Sequence, residues 1–509
     1  LGGGRILAID LFTEPALRMT THHAHLKCIS PDCSATYPVS RTVFICEKCG
    51  ELLDAVYDWD SAHARTGFSR APGVFAARQW SGAAYAAGDA QGSRAAINAS
   101  GVWRFRELIP FWEHEQQIVT LGEGRTILQP ADALAGKVGY GPGELFLQYE
   151  GFNPSGSFKD NGMAGAFTHA SMVGATRVVC ASTGNTSASL AMYASLASPA
   201  GGKPFRGFVL IGSGKIAYGK LSQALDFGAR TLQVAGDFDA CLARVQEIAV
   251  QRPQLGIYLM NSINPFRLEG QKAIMFRVLE ALGWSAGSVP DWIVVPGGNL
   301  GNTSAFGKAF MELDALKMLP GGKVPRLAVI NASGARTLDR IYNELGVRWN
   351  DGRYDRAKVR SEYQRMDSAK ERAHTVASAI EIGRPVNLPK ALRALELMNG
   401  VVRSVDDPTI LEHKALIGRH GYACEPACAA SVAGAAMLRR EGVIKPGERV
   451  VCIITGHGLK DPDATVKYHT GIDMKSAQES VPRVEPHGAL VNKPIQVADD
   501  VEAILRAME

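Results

Sequence analysis

The chain has 509 residues, 46% hydrophobic and 21% charged, with a formal net charge of +5. That length exceeds what one core organises, so about two or three domains are expected, and the small, dispersed charge excludes a track for nucleic acid. No apolar run approaches the roughly eighteen residues that would argue for a membrane span.

Leu1 in place of Met reads as an incomplete or processed N-terminus, and Leu1 to Arg5 show no secretory leader. The nine cysteines are odd in number and mostly sit in apolar stretches, as Cys180, Cys241 and Cys452 do. They point to a reducing, cytoplasmic setting rather than a disulfide framework. Residues 1–60 are expected to form a small unit of their own. There Cys28-x4-Cys33 and Cys46-x2-Cys49 are separated by twelve residues, with Gly50 after the second pair. Two thiolate hairpins so spaced can close a tetrahedral structural zinc site on Cys28, Cys33, Cys46 and Cys49; the alternative is a ribbon that folds without metal. His22, His23 and His25 read as exposed tail residues. Residues 61–101, rich in Ala, Gly and Ser, read as a connector.

From 102 to 509 strand and helix signals alternate, as expected for an α/β catalytic region. The β-branched run 177–181 leads into helical spacing over 187–196, and 208–212 precedes a helix over 215–227 with Ile216, Leu221, Ala224 and Leu225 on one face. Strand patterns return at 231–234, 257–260, 292–295, 327–330 and 450–454. Strands apolar on both faces and spaced by helices build open parallel sheets, whose ligands bind beyond the strands' carboxyl ends. A smaller subdomain, about 165–255, is expected inside the larger one. The charged, poorly patterned stretch 348–372 reads as an exposed insertion.

Chemistry concentrates in four short segments. Lys159 follows Phe158 and the turn-forming residues 153–157, ahead of a helical stretch over 163–170. A lysine in such a setting becomes a carbonyl nucleophile when its surroundings lower its pKa; alone, it would read as a surface residue at a helix start. Residues 182–186 and 297–302 both sit at a strand–turn–helix junction. Gly298, Asn299, Leu300, Gly301 and Asn302 offer converging N–H groups and a helix dipole to a phosphate monoester, and neither nucleotide-loop spacing is present. Ser182 and Thr183 could meet a carboxylate and Asn185 a ring oxygen, although helix capping is a compatible reading. Thr455 closes the run 450–454, so its hydroxyl would face a ring nitrogen. Together these point to pyridoxal 5'-phosphate held as a Schiff base on Lys159.

The segments, in this order, resemble the threonine synthase family, pyridoxal-phosphate enzymes of the tryptophan-synthase-β fold group. The likeness runs from about Val119 to Asp463 and takes in residues 120–126, 214–217, 261–272, 377–383 and 425–427. It implies a two-domain fold type II with a zinc-ribbon-like unit in front, a homodimer, and conversion of O-phospho-L-homoserine and water to L-threonine and phosphate. It implies that Lys159 forms the Schiff base and shuttles protons, that Gly298 to Asn302 hold the cofactor phosphate, and that Asn185 and Thr455 address the ring. Asn261 and Arg267, with Ser182 and Thr183, are implied for the substrate's phosphate and carboxylate, a buried Arg suiting a phosphate. Arg125, Ile127, Asn161 and His457 depart from the family's usual residues. Rival readings are a paralogous lyase, such as cysteate synthase or a serine/threonine dehydratase, and a regulatory protein with a degenerate pocket. The last would have lost Lys159 or the glycine loop, and both are present.

Overall fold

Alternate residues of the central strands feed two different cores, which is why those strands read as unbroken apolar runs. Ile293, Val295, Val451 and Ile453 pack into one cluster, while Trp292, Val294, Val450, Cys452 and Ile454 pack into the other. A sheet covered on both faces demands this composition. The computed structural model describes residues 23–66, 72–78, 96–197, 204–212, 218–235, 244–245, 247–248, 255–472, 488–492, 495, 497 and 501–508. His22, Cys241, most of the expected connector and the motif 214–217, with the start of its expected helix, lie outside the described residues.

Three sheets organise the chain. Strands β1 (Ala24–Cys28), β2 (Thr36–Pro38) and β3 (Leu53–Tyr57) form an antiparallel ribbon in the order β2-β1-β3. The main sheet uses β4 (Ile127–Pro130), β5 (Leu145–Tyr149), β10 (Trp292–Pro296), β11 (Arg326–Ala332), β12 (Val401–Val405) and β13 (Val450–Ile454). Its order is β12-β11-β10-β13-β5-β4, parallel throughout except for the edge strand β4. The smaller sheet, β8-β7-β6-β9, is wholly parallel and built from β6 (Arg177–Ala181), β7 (Arg206–Gly212), β8 (Arg230–Val234) and β9 (Ile257–Leu259). The helices that position the site are α1 (Lys159–Met172), α2 (Asn185–Leu196), α3 (Pro265–Ala281), α4 (Gly301–Ala315), α5 (Arg356–Ser368), α6 (Leu388–Leu397) and α7 (Pro426–Arg440). Helix α3 packs along both α1 and α4, and α7 lies across β10, β11 and β13.

Two expectations change. The stretch 348–372 is not an exposed insertion: Val359, Glu362 and Met366 of α5 are buried, and Trp349 stacks on Tyr354. Tyr354 Oη and Arg356 Nη2 both donate to Glu51 of the ribbon, at 3.0 and 3.1 Å. The segment braces the ribbon. His23 and His25 are likewise not tail residues; His23 is buried and His25 sits half-buried in β1.

The ribbon is joined to the rest through a buried ionic cluster. Lys308 Nζ donates to Ala55 O and Lys390 Nζ to Leu53 O, both at 2.6 Å, so two lysines cap carbonyls of β3. Tyr57 Oη donates to Glu269, which pairs with Lys272 and Lys308, and both lysines also meet Glu312. Asp54 pairs with Lys390 and Arg393. Burial opposes its charge, yet Arg393, Lys390 and Lys308 together hold its carboxyl well below the usual range. Groups this deeply buried persist only when paired.

Candidate active site

The lysine segment is fastened to the end of β13. Gly156, at φ +84°, makes the left-handed turn that lets 155–158 run back along 455–457. Phe158 N donates to Thr455 O and His457 N to Gly156 O, each at 2.9 Å, and Ser157 bridges Gly456. Lys159 then opens α1, half-buried, its Nζ 3.6 Å from the centre of the Phe158 ring. Behind it Asp160 is fully buried and accepts from Ser155 N at 2.7 Å, Ser155 Oγ at 2.6 Å and Ser189 Oγ. Burial pushes its carboxyl up to about 6, although these donors favour the charge.

Asn185 opens α2 at the end of β6. Its Nδ2 donates to Glu425 Oε1 at 2.6 Å, while its Oδ1 is buried without a hydrogen-bond partner. The Thr455 hydroxyl lies 3.3 Å from Cys428 Sγ, and that sulfur also accepts from Gly456 N at 3.1 Å. Thus the segments of Lys159, Asn185 and Thr455 meet at the first turn of α7. Ser182 and Thr183 are half-buried in the turn before α2, and Ser182 Oγ accepts from Gly184 N at 3.1 Å.

The glycine loop follows β10. Gly297 N donates to Ile330 O and Asn331 Nδ2 to Gly297 O, both at 2.7 Å, which pins the loop to β11. Asn299 O accepts from Asn387 N at 3.3 Å, and Leu300 adopts φ +63°. Helix α4 starts at Gly301 without a side-chain cap, so its first N–H groups lack intrahelical partners. Asn302 Oδ1 and Thr303 Oγ1 are buried and unbonded. Gln271 of α3 links this loop to α1: its amide lies 3.1 Å from where a Cβ would stand at either Gly301 or Gly162.

Arg267 and Asn261 flank the same region. Asn261 Oδ1 accepts from Ala181 N and its Nδ2 donates to Ala181 O, both at 3.0 Å, so its amide is committed to the end of β6. Arg267 is 1% exposed, with Nη1 on Met260 O at 3.0 Å and Nε buried without a partner. Burial lowers its guanidinium to about 10, offset by little.

Asn185 Oδ1, Asn302 Oδ1, Thr303 Oγ1, Gln271 Oε1 and Arg267 Nε are all unsatisfied and buried, on these segments or on side chains between them. Native proteins seldom leave such atoms unpaired without a reason. The donor set fits a phosphorylated pyridine aldehyde: an amine at Lys159, an uncapped helix start for the phosphate, and an amide and a hydroxyl for the ring. Sequence reasoning missed Glu425, Cys428, Gln271 and Asp160. Glu425, Gln271 and Asp160 lay in or beside the quoted stretches 425–427, 261–272 and Lys159, and Cys428 had no signal.

Comparison with known proteins agrees with this geometry. A family profile described as pyridoxal-phosphate dependent enzyme matches residues 119–456. The threonine synthase of Methanocaldococcus jannaschii is 39% identical over 442 residues, 87% of this chain and 94% of that protein. That of Methanosarcina acetivorans is 38% identical over 443 residues, 87% of this chain and 93% of the relative. The crystal structure of threonine synthase from Escherichia coli covers 95% of this chain and 99% of its own, with a TM-score of 0.57 at 18% identity, a likeness of fold.

Proposed function

The chain belongs to the threonine synthase family of pyridoxal-phosphate-dependent enzymes, and we infer that it makes L-threonine and phosphate from O-phospho-L-homoserine and water. Arg267 carries the substrate reading. A buried cation with no carboxylate partner among the described residues is costly, and an incoming phosphate offsets that cost through charge-assisted contacts. The glycine loop supplies a separate anion site, so cofactor and substrate phosphates need not compete.

When bound, pyridoxal phosphate supplies an electron sink for charge developing on the substrate's carbon skeleton. Lys159 Nζ, held over the Phe158 ring, moves protons at the substrate's α- and β-carbons. Gly298, Asn299, Leu300, Gly301 and Asn302 grip the cofactor phosphate by main-chain N–H groups. Asn185 and Thr455 would hold the cofactor ring, and a hydroxyl at Thr455 would bring no negative charge to a ring nitrogen. Ser182 and Thr183 take the substrate carboxylate. Asn261 fixes the β6 end from which those hydroxyls hang, and Arg267 receives the γ-phosphate and stabilises it as it departs.

In the ribbon we assign zinc to Cys28, Cys33, Cys46 and Cys49, whose sulfurs all lie within 4.8 Å of one another. Outside that cluster, Cys180, Cys424, Cys428 and Cys452 are buried and unlinked, which suits a reducing, cytoplasmic compartment, and a homodimer belongs to the same reading. No helix among the described residues is long and apolar enough to cross a membrane. Purified protein incubated with O-phospho-L-homoserine is expected to release threonine and phosphate in equal amounts, and Lys159→Ala to abolish both. Turnover of L-serine instead, with O-phospho-L-homoserine untouched, overturns the assignment.

A further inference from the structure

Glu425 is a buried carboxylate, 1% exposed, at the start of α7. It sits between the two side chains expected at the ring's opposite edges. Its Oε1 accepts from Asn185 Nδ2 at 2.6 Å, and its main-chain N–H donates to Gly456 O at 3.3 Å, beside Thr455. The fit is close on both sides. A Cβ on residue 456 would stand 2.5 Å from Glu425 Oε1, so any residue but glycine there would push the carboxylate from its present place against Asn185.

We propose that Glu425 is a positioning residue that sets the orientation of the Asn185 amide for the cofactor ring. A carboxylate only accepts hydrogen bonds, so it selects the nitrogen end of the amide and excludes the flipped arrangement. One N–H of Nδ2 is then taken, while the second N–H and the unbonded Oδ1 stay available to the ligand. Without Glu425, the amide could rotate and present its oxygen where a donor is needed, to a phenolic oxygen that repels it. Sequence separation hides this arrangement, because the two residues are 240 positions apart.

The inference rests on the cofactor reading above, and its test separates the two. Apo-protein is titrated with pyridoxal phosphate, following the visible absorbance of the bound cofactor and its dissociation constant, with melting temperature as a check on folding. Glu425→Ala is expected to weaken binding at least tenfold and shift the absorbance band, and Glu425→Gln, whose amide donates as well as accepts and so no longer excludes the flipped Asn185, to weaken it by a smaller factor of about three to ten. In an Asn185→Ala background, Glu425→Ala should change binding less than twofold, since its effect passes through that amide. An equal loss in both backgrounds, an unchanged dissociation constant and spectrum in Glu425→Ala, or a Gln variant as impaired as the Ala variant overturns the proposal. Should Glu425→Ala fail to fold, Glu425→Gln decides: a loss of at least threefold that disappears in the Asn185→Ala background supports the proposal, and no loss, or an equal loss in both backgrounds, overturns it. If the unmodified protein takes up no cofactor, the cofactor reading falls and this inference falls with it.

Discussion

Asp160 and Arg267 are buried ionisable residues whose costs are expected to appear under different conditions. Asp160 titrates near 6 when folded, above the roughly 3.9 of an exposed aspartate. A raised acid favours the protonated fold, so its contribution is complete below about pH 4 and is lost as pH climbs to about 6. Over that window the protein should lose on the order of 3 kcal/mol relative to Asp160→Asn, read from urea midpoints at several pH values. A difference between the two proteins that does not vary with pH would sink the argument. Arg267 concerns binding instead. Arg267→Met removes a buried cation that has no carboxylate counter-ion among the described residues, which offsets the lost bond to Met260 O, so the empty protein should be little changed in stability. Its KM for O-phospho-L-homoserine should rise about a hundredfold, the worth of roughly 2.7 kcal/mol of charge-assisted contact. An unchanged KM places the substrate phosphate elsewhere.

At the scale of elements, legibility followed burial. Strands β6, β10 and β13 announced themselves because sheets covered on both faces leave apolar runs, and the glycine loop was visible because turns between strand and helix need small residues. Strand β4 was not, since its residues are exposed or half-exposed at an antiparallel edge. Helix α5 escaped for a related reason: only Val359, Glu362 and Met366 are buried, with Tyr363 partly so, and its sequence looks largely polar. In the site, Lys159 and the loop were readable as local motifs, whereas Glu425 acquires meaning only from a residue far along the chain. The ionic cluster around α3 and α4 was equally hidden, and it yields a sharp contrast. Lys308→Met leaves Glu269, 0% exposed, and Glu312 to share Lys272 alone and uncaps Ala55 O, costing about 3–5 kcal/mol. Arg41→Met breaks a pair with both side chains about half exposed and should cost less than about 1 kcal/mol. Equal effects in urea unfolding would show that the cluster is solvated.

For the molecule as a whole, the ribbon and the catalytic region are expected to unfold together. Chelation of the zinc proposed for the ribbon, or Cys46→Ser, should lower the melting temperature, because a metal on the cysteine cluster would close the ribbon in which β3 is paired. Calorimetry is expected to show one transition moved downward as a unit. Two separated transitions, with the catalytic one unmoved, would mean that the ribbon is an independent module.

The lysines that cap β3 also bear on any attempt to trim this enzyme. A fragment starting at residue 102 would keep the glycine loop and Lys159 but leave the ammonium groups of Lys308 and Lys390 facing water where Ala55 and Leu53 had received them. Such a minimal catalyst would first need that face resurfaced, with the charges rebalanced for solvent rather than for a neighbouring strand.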